Sequence, residues 1–342
     1  MSMKRVLAIL MTAAMAFGAV GCGKTETTAN TENGENDLEE VSVVLDWYPN
    51  AVHSFLYAAD AKGYFAEEGL DLVVHFPANT NDGISLPAAG KADFGVYYLK
   101  DAILTAVEEG VPVRSVGAVV QDSLDVVIAL EEKGIKTAAD LAGKKIGYAG
   151  TALSEATIEA MLENEGLSAA DCETIDVGFD LLTATTTGQV DATIGNMANH
   201  EVPQLEENGV DINYFYTTDH GVPPYYELVL LTGEKTLTEN PEKVQKFLRA
   251  CEKGFAFMKE NPEEALQILL DNQNTENFPL SETVERKSME ILLPKMETAE
   301  MPFLSQDVEV WQQNADWLYE RGLLSEQTDV SFLLADVDDT AE

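Results

Sequence analysis

The stretch VRSVGAVVQDSLDVVIAL, residues 113–130, holds two β-rich runs, Val113–Val120 and Val126–Leu130. The chain passes from one run to the next strand to strand, punctuated by Asp122–Asp125. A second passage of this kind lies at Pro223–Tyr226, just before the run Leu228–Leu231. Elsewhere short β-rich runs alternate with helical patterns. The runs are Val41–Leu45, Leu70–His75, Asp93–Val96, Lys145–Tyr148, Thr174–Val177, Ala192–Ile194 and Ile212–Tyr216. Helical spacing marks Leu99–Glu109, Ser154–Asn164 and Ala198–Asn208. Alternation of this sort predicts α/β units with largely parallel sheets. Read as crossings, the two punctuated passages divide the chain into two α/β lobes. Residues 41–123 and 228–334 form the first lobe and residues 124–227 the second.

The final third reads as helical. Asn240-Pro241 and Asn261-Pro262 each look like a cap followed by proline at the first helical position. Glu264, three residues after Asn261, sits where a capping box would place it. Val308, Trp311, Ala315 and Leu318 recur at helical spacing and read as core contacts. The acidic residues 335–342 read as a frayed tail.

Size and charge narrow the possible functions. The chain has 342 residues and 45% hydrophobic content, enough for two domains with real cores. There are 60 acidic side chains against 21 Lys and Arg, a formal net charge of -39. So acidic a surface repels nucleic acid and anionic lipid, so neither is expected as a partner, and it favours a soluble monomer. Three cysteines, at 22, 172 and 251, are too few for a disulfide scaffold and too dispersed for zinc. No metal or cofactor is expected. Cys172 and Cys251 read as unpaired, semi-buried thiols, with a single bridge between them as the alternative.

The N-terminus reads as an address. Lys4 and Arg5 precede an apolar run, Val6–Val20, that ends in Ala19-Val20-Gly21-Cys22. This is the layout of a secretory signal peptide. Its end is similar to a bacterial lipobox, which implies residues 1–22 as a lipoprotein leader, lipidation at Cys22 and attachment to the extracytoplasmic face of the membrane. An ordinary cleaved signal with a chance cysteine is the alternative. The run is short for a retained membrane span. Residues 23–40 are polar, cannot bury enough surface to order themselves, and read as a flexible tether.

Ligands of α/β proteins bind beyond the carboxyl ends of strands and between domains. Five segments stand there. The first is Leu45-Asp46-Trp47-Tyr48-Pro49-Asn50 with His53. Trp47 and Tyr48 are suited to stacking on a planar ring, Asn50 and His53 to hydrogen-bonding its edge. The second holds Tyr97 and Tyr98. The third holds Gly150 and Thr151, before a helix start whose free amides can bind an acceptor. The fourth runs from Gly195 to Glu201 and includes Asn196. The fifth holds Tyr226 and Glu227 at the second crossing. None of the five contains Lys or Arg, whereas an anion receptor would be expected to offer them. A neutral or weakly basic small-molecule ligand is expected.

The segments LDWYPNAVHSFLYAADAKGYFAEEGLDL, KADFGVYYLKDA, AADLAGKKIGYAG, GQVDATIGNMANHE and GVPPYYELVLLTGE, in this order, resemble the NMT1/THI5-like family. That family contains thiamine-pyrimidine-precursor-binding proteins and the yeast pyrimidine synthase. The resemblance spans about residues 41–324. It implies a type II periplasmic-binding-protein fold, with a central ligand cleft and a hinge of two crossing segments. It also implies an ABC importer with separate permease and ATPase subunits. The implied ligand is a thiamine pyrimidine precursor, formylaminopyrimidine or a hydroxymethylpyrimidine. Trp47 would pack on the heterocycle and Glu227 would hydrogen-bond it, with the other named residues around them. Asn196-Met197-Ala198-Asn199 stands where relatives often carry aromatics, which keeps riboflavin, another heterocycle or a nitrate- or sulfonate-type solute open. The family's enzymes carry a cysteine-rich motif that this chain lacks, so a receptor rather than an enzyme is expected.

Overall fold

The computed structural model describes residues 38–178, 180–273, 278–335 and 337. The leader, Cys22 and nearly all of the tether lie outside the described residues. Ten strands appear among those described: β1 (Glu39–Val44), β2 (Leu70–His75), β3 (Phe94–Tyr98), β4 (Val113–Val120), β5 (Asp125–Leu130), β6 (Lys145–Tyr148), β7 (Glu173–Asp176), β8 (Ala192–Met197), β9 (Ile212–Tyr216) and β10 (Leu228–Gly233). They form two sheets, ordered β2-β1-β3-β10-β4 and β7-β6-β8-β5-β9.

The sheets are mixed rather than largely parallel. β1 runs parallel to β2 and β3, but β10 is antiparallel to β3 and β4. Likewise β6 is parallel to β7 and β8, while β5 is antiparallel to β8 and β9. The reversed strand in each sheet is the one that follows a passage from the other sheet. The chain leaves β4 at the edge where the parallel strands end. It therefore enters the second sheet at that sheet's corresponding edge and must run away from it. The return from β9 into β10 repeats this. Strand ends of both sheets thus face one another, and the first residues of β5 and β10 lie between them. All six residues of β10 are buried, as befits a central strand covered on both faces.

β1 starts two residues earlier than the pattern predicts. Its Glu39 amide donates to the Gly69 carbonyl at 2.9 Å, and Lys243 pairs with the Glu39 carboxylate at 3.0 Å. At the other end, the Ala335 amide donates to Ser115 at 2.9 Å and Gln245 donates to the Val337 carbonyl at 2.8 Å. Chain that reads as tether or tail is held to the first lobe at these points.

The helices Pro241–Glu260 and Pro262–Asp271 begin with proline as predicted. Neither preceding Asn caps through its side chain. The Asn261 amide instead donates back to Phe257 at 3.3 Å, and Glu264 pairs with Lys62, so no capping box forms. The helix Pro241–Glu260 lies tight against Ser54–Ala61. A Cβ on Gly254 would stand 2.2 Å from the Phe55 carbonyl oxygen, so only glycine permits this approach. In the helix Val308–Glu320, Trp311 and Leu318 are fully buried and Ala315 nearly so, while Val308, in its first turn, is exposed. Asn314 of that helix donates to the Pro224 carbonyl at 2.9 Å, bracing the second passage.

The helix Glu282–Met296 touches both lobes. Glu285 accepts from the Ala51 amide at 2.7 Å, and Ser288 accepts from Asn199 at 3.1 Å. Lys295 reaches Asp122 at 2.5 Å and the Ser123 carbonyl at 3.1 Å in the first passage. Cys251 is buried in the first-lobe core and Cys172 half-buried at the start of β7; both are free.

Candidate functional site: a cleft between the two sheets

The facing strand ends enclose a cleft of about 420 Å³. The first lobe contributes Asp46 and Trp47 beyond β1, with Tyr97 and Tyr98 at the end of β3 and Lys100 and Asp101 just after it. The second contributes Thr151, Ser154 and Thr157 around a helix start and Ile194, Gly195 and Met197 from β8. Between the lobes stand Asp125, Tyr225 and Glu227. Trp47 and Glu227 therefore face one shared cavity.

Trp47 is 49% exposed, with its ring edge-on to Tyr48 at 5.9 Å. A large aromatic left half in water at a cleft mouth is available to stack on a ligand ring. Tyr48 turns away and stacks on Phe278 at 3.4 Å. Behind Trp47, Asp46 accepts from His53 Nε2 at 2.8 Å and from the Tyr98 hydroxyl at 3.4 Å. The fully buried His53 uses Nδ1 to accept from the Asn50 amide at 3.3 Å, which leaves Nε2 to donate. Asn50 itself caps the turn Ala51–His53 through its side chain.

Thr151 caps the helix Ala152–Asn164, accepting from the Ser154 amide at 3.1 Å. Gly150 stands in the left-handed region at φ 71°, where a Cβ would meet Asp176 at 2.6 Å. Asn196 is buried within β8 and donates to Thr193, and Glu201 accepts from the Met197 amide at 2.7 Å. That last bond holds Ala198–His200 as a turn, so the helix begins at Glu201 instead of Ala198. The Tyr226 hydroxyl accepts from the Asp307 amide at 2.8 Å, inside the core. Of the residues picked from the sequence, Trp47, Tyr97, Tyr98, Thr151 and Glu227 line the cleft. Tyr48, Asn50, His53, Gly150, Asn196, Glu201 and Tyr226 do not, and the side chains of Asn50, His53, Asn196, Glu201 and Tyr226 bond within the surrounding structure.

Glu227 is 4% exposed and accepts from the Leu124 amide at 2.7 Å, joining the two passages. Burial pushes its carboxyl above the usual range, against the pull of that amide and of Lys100. Burial, then the Glu227 charge, pushes Asp125 up to about 7. The Lys100 ammonium lies 3.6 Å from the centre of the Tyr225 ring. Burial lowers its pKa to about 8, opposed by Asp125, Glu227 and Asp101. Burial, with Asp46 and Glu227, raises the Tyr98 hydroxyl well above its ordinary value, so it stays a donor.

Lys100 corrects the expectation of a cleft without basic residues, since it lies two positions beyond the Tyr97-Tyr98 segment. Four carboxyls, on Asp46, Asp101, Asp125 and Glu227, line the same cavity and outnumber the single ammonium. Asp46, Lys100 and Asp125 were not singled out from the sequence. Asp46 sits inside the first segment and Lys100 two residues beyond the second, so extending the strand-end rule by a turn would have found those two; Asp125, in the first crossing, opens a strand and falls outside that rule.

Two five-stranded lobes with a cleft at the joined strand ends define a type II periplasmic-binding-protein fold. A solved structure, the periplasmic aliphatic sulphonate binding protein SsuA from Escherichia coli, superposes with a TM-score of 0.68 at 17% identity, covering 86% of this chain and 97% of that one. The family profile described as NMT1/THI5 like matches residues 50–265. The chain is 45% identical to the formylaminopyrimidine-binding protein of Halalkalibacterium halodurans, over 84% of this chain and 87% of that protein. It is 32% identical to a putative thiamine biosynthesis protein of Haemophilus influenzae, over 84% and 88%. The protein belongs to the NMT1/THI5-like family.

Proposed function

We propose that the protein is the solute-binding lipoprotein of an ABC importer, held outside the cell membrane by a lipid on Cys22, and that it captures a thiamine pyrimidine precursor such as formylaminopyrimidine. The observation that carries this reading is the pairing of Trp47 with Glu227 across one cleft. An indole covers the face of a flat ring, and a carboxylate takes the amine at its edge. A charge-assisted hydrogen bond contributes about 1.5–3 kcal/mol, and an aromatic pair adds about 0.5–1.5 kcal/mol beyond area burial. With burial between the lobes the sum reaches sub-micromolar affinity, about 8 kcal/mol or better.

The 45% identity to a formylaminopyrimidine-binding protein supports the same ligand class. The acid-rich lining opposes an anion such as a sulfonate. The two passages, Asp122–Asp125 and Pro223–Tyr226, act as the hinge, and the Glu227–Leu124 hydrogen bond ties them together beside the ligand. Closure of the lobes then presents one surface to the permease. A thermal-shift panel of pyrimidines, thiamine, riboflavin and alkanesulfonates tests the ligand class, because a ligand that binds only the folded form raises the melting temperature. A shift with sulfonates and none with aminopyrimidines would reject it. Palmitate labelling of the expressed protein, lost in Cys22→Ser, tests the anchor.

A further inference from the structure

A second carboxylate in the cleft stands ready for a donor. Asp125, the last residue of the first passage, opens β5 and lines the cavity with Glu227. The Glu227 carboxylate is already engaged by the Leu124 amide at 2.7 Å, with the Tyr225 hydroxyl and the Asp125 amide facing it. Asp125 Oδ1 is closed off from solvent and has no hydrogen-bond partner. The Thr217 hydroxyl and the Gly195 amide face the Asp125 carboxyl and favour its charged form, but neither meets hydrogen-bond geometry with Oδ1. Lys100, the cation of the cluster, is held over the Tyr225 ring. A buried acceptor left without a donor is costly, and such groups are normally satisfied.

We propose that Asp125 Oδ1 accepts a hydrogen bond from the exocyclic amine of the heterocycle and so sets the preference for amine-bearing over oxo-bearing rings. This rests on the reading of the cleft as a heterocycle site and adds to it the group that chooses among heterocycles. A 4-aminopyrimidine brings two amine hydrogens to a pair of carboxylates. Above pH 7, where Asp125 is ionised, an oxo-pyrimidine or a flavin brings carbonyl lone pairs to the same place, where they face carboxylate oxygens without a hydrogen between them. Sites built to bond a ligand's N–H reject analogues that lack it by large factors, because their own polar groups are left unpaired.

Calorimetric titration with 4-amino-5-hydroxymethyl-2-methylpyrimidine and its 4-oxo counterpart tests the assignment on the wild type, Asp125→Asn and Asp125→Ala. The wild type is expected to prefer the amine tenfold or more. Asp125→Asn, whose amide can donate to an oxo group, is expected to narrow or invert that ratio. Asp125→Ala is expected to lose amine affinity more than oxo affinity. A wild type that binds the amine without preferring it overturns the assignment, whether or not the variants fold. So does an Asp125→Asn protein that keeps the full preference. In either case heterocycle capture itself still stands. A wild type that binds neither ring overturns both readings.

Discussion

Trp47 stands half in water at the mouth of the cleft, so truncating it removes a ligand wall without opening a cavity in a core. Trp47→Ala is expected to weaken heterocycle binding by about 1.5–3 kcal/mol, measured by calorimetry, with the melting temperature of the free protein unchanged. Glu227→Gln is expected to weaken binding tenfold or more while the fold persists, because an amide oxygen can still accept from Leu124; unchanged affinity would reject its role. Asp125 carries a prediction about pH. Its carboxyl is raised to about 7 in the folded state, so between the unfolded value and 7 the folded state holds a proton that the unfolded chain has lost. Stability therefore falls as pH rises through that window, and the whole penalty is present above it. Asn carries no such penalty. Free Asp125→Asn is expected to melt higher than the wild type at pH 8, with the gap closing as pH falls toward 4. A gap that does not close would contradict the raised pKa. At this scale the sequence was partly legible. Aromatic and acidic residues just after strands line the cleft, but similar polar residues nearby, such as Asn50 and Asn196, serve caps and strands. Nothing local separates the two groups, because both lie at or just beyond strand ends. Lys100 stands close enough to a strand end to be picked, but its burial does not show in a helical pattern, since it comes from contacts distant in sequence, with the Tyr225 and Trp317 rings.

At the scale of elements, hydrophobic periodicity located all ten strands, four of them with the boundaries observed. Runs of Val, Ile and Leu read clearly in strands such as β4, β5 and β10, which bury most of their length. Strand direction was less legible. The reversal of β5 and β10 follows from which edge the chain enters, a property of the sheet and not of the strand. Capping was legible as a position but not as a partner, since Asn261 bonds backward and Glu264 finds Lys62 on a distant helix. The contact between helices Pro241–Glu260 and Ser54–Ala61 depends on Gly254. Gly254→Ala should gain about 1 kcal/mol of helix propensity. Overpacking against the Phe55 carbonyl should cost about 1–3 kcal/mol, so net destabilisation is expected in urea unfolding. Neutral or greater stability would show that the two helices separate freely.

For the whole molecule, the account is that two lobes joined by two passages shut on a flat, nitrogen-bearing ligand. Helix Glu282–Met296 bonds to both lobes, at Ala51 and at Asn199, so it limits how far they part. Ser288→Ala removes the Asn199 bond and is expected to widen the free protein, read as a larger radius of gyration in small-angle scattering, while the saturated form keeps the wild-type value. Equal radii for the two free proteins would argue against that restraint. The central claim is tested most directly by calorimetric titration of the wild-type protein with formylaminopyrimidine. The account predicts one saturable site with sub-micromolar affinity. The absence of binding at a hundred times that concentration, with the protein folded, would contradict it.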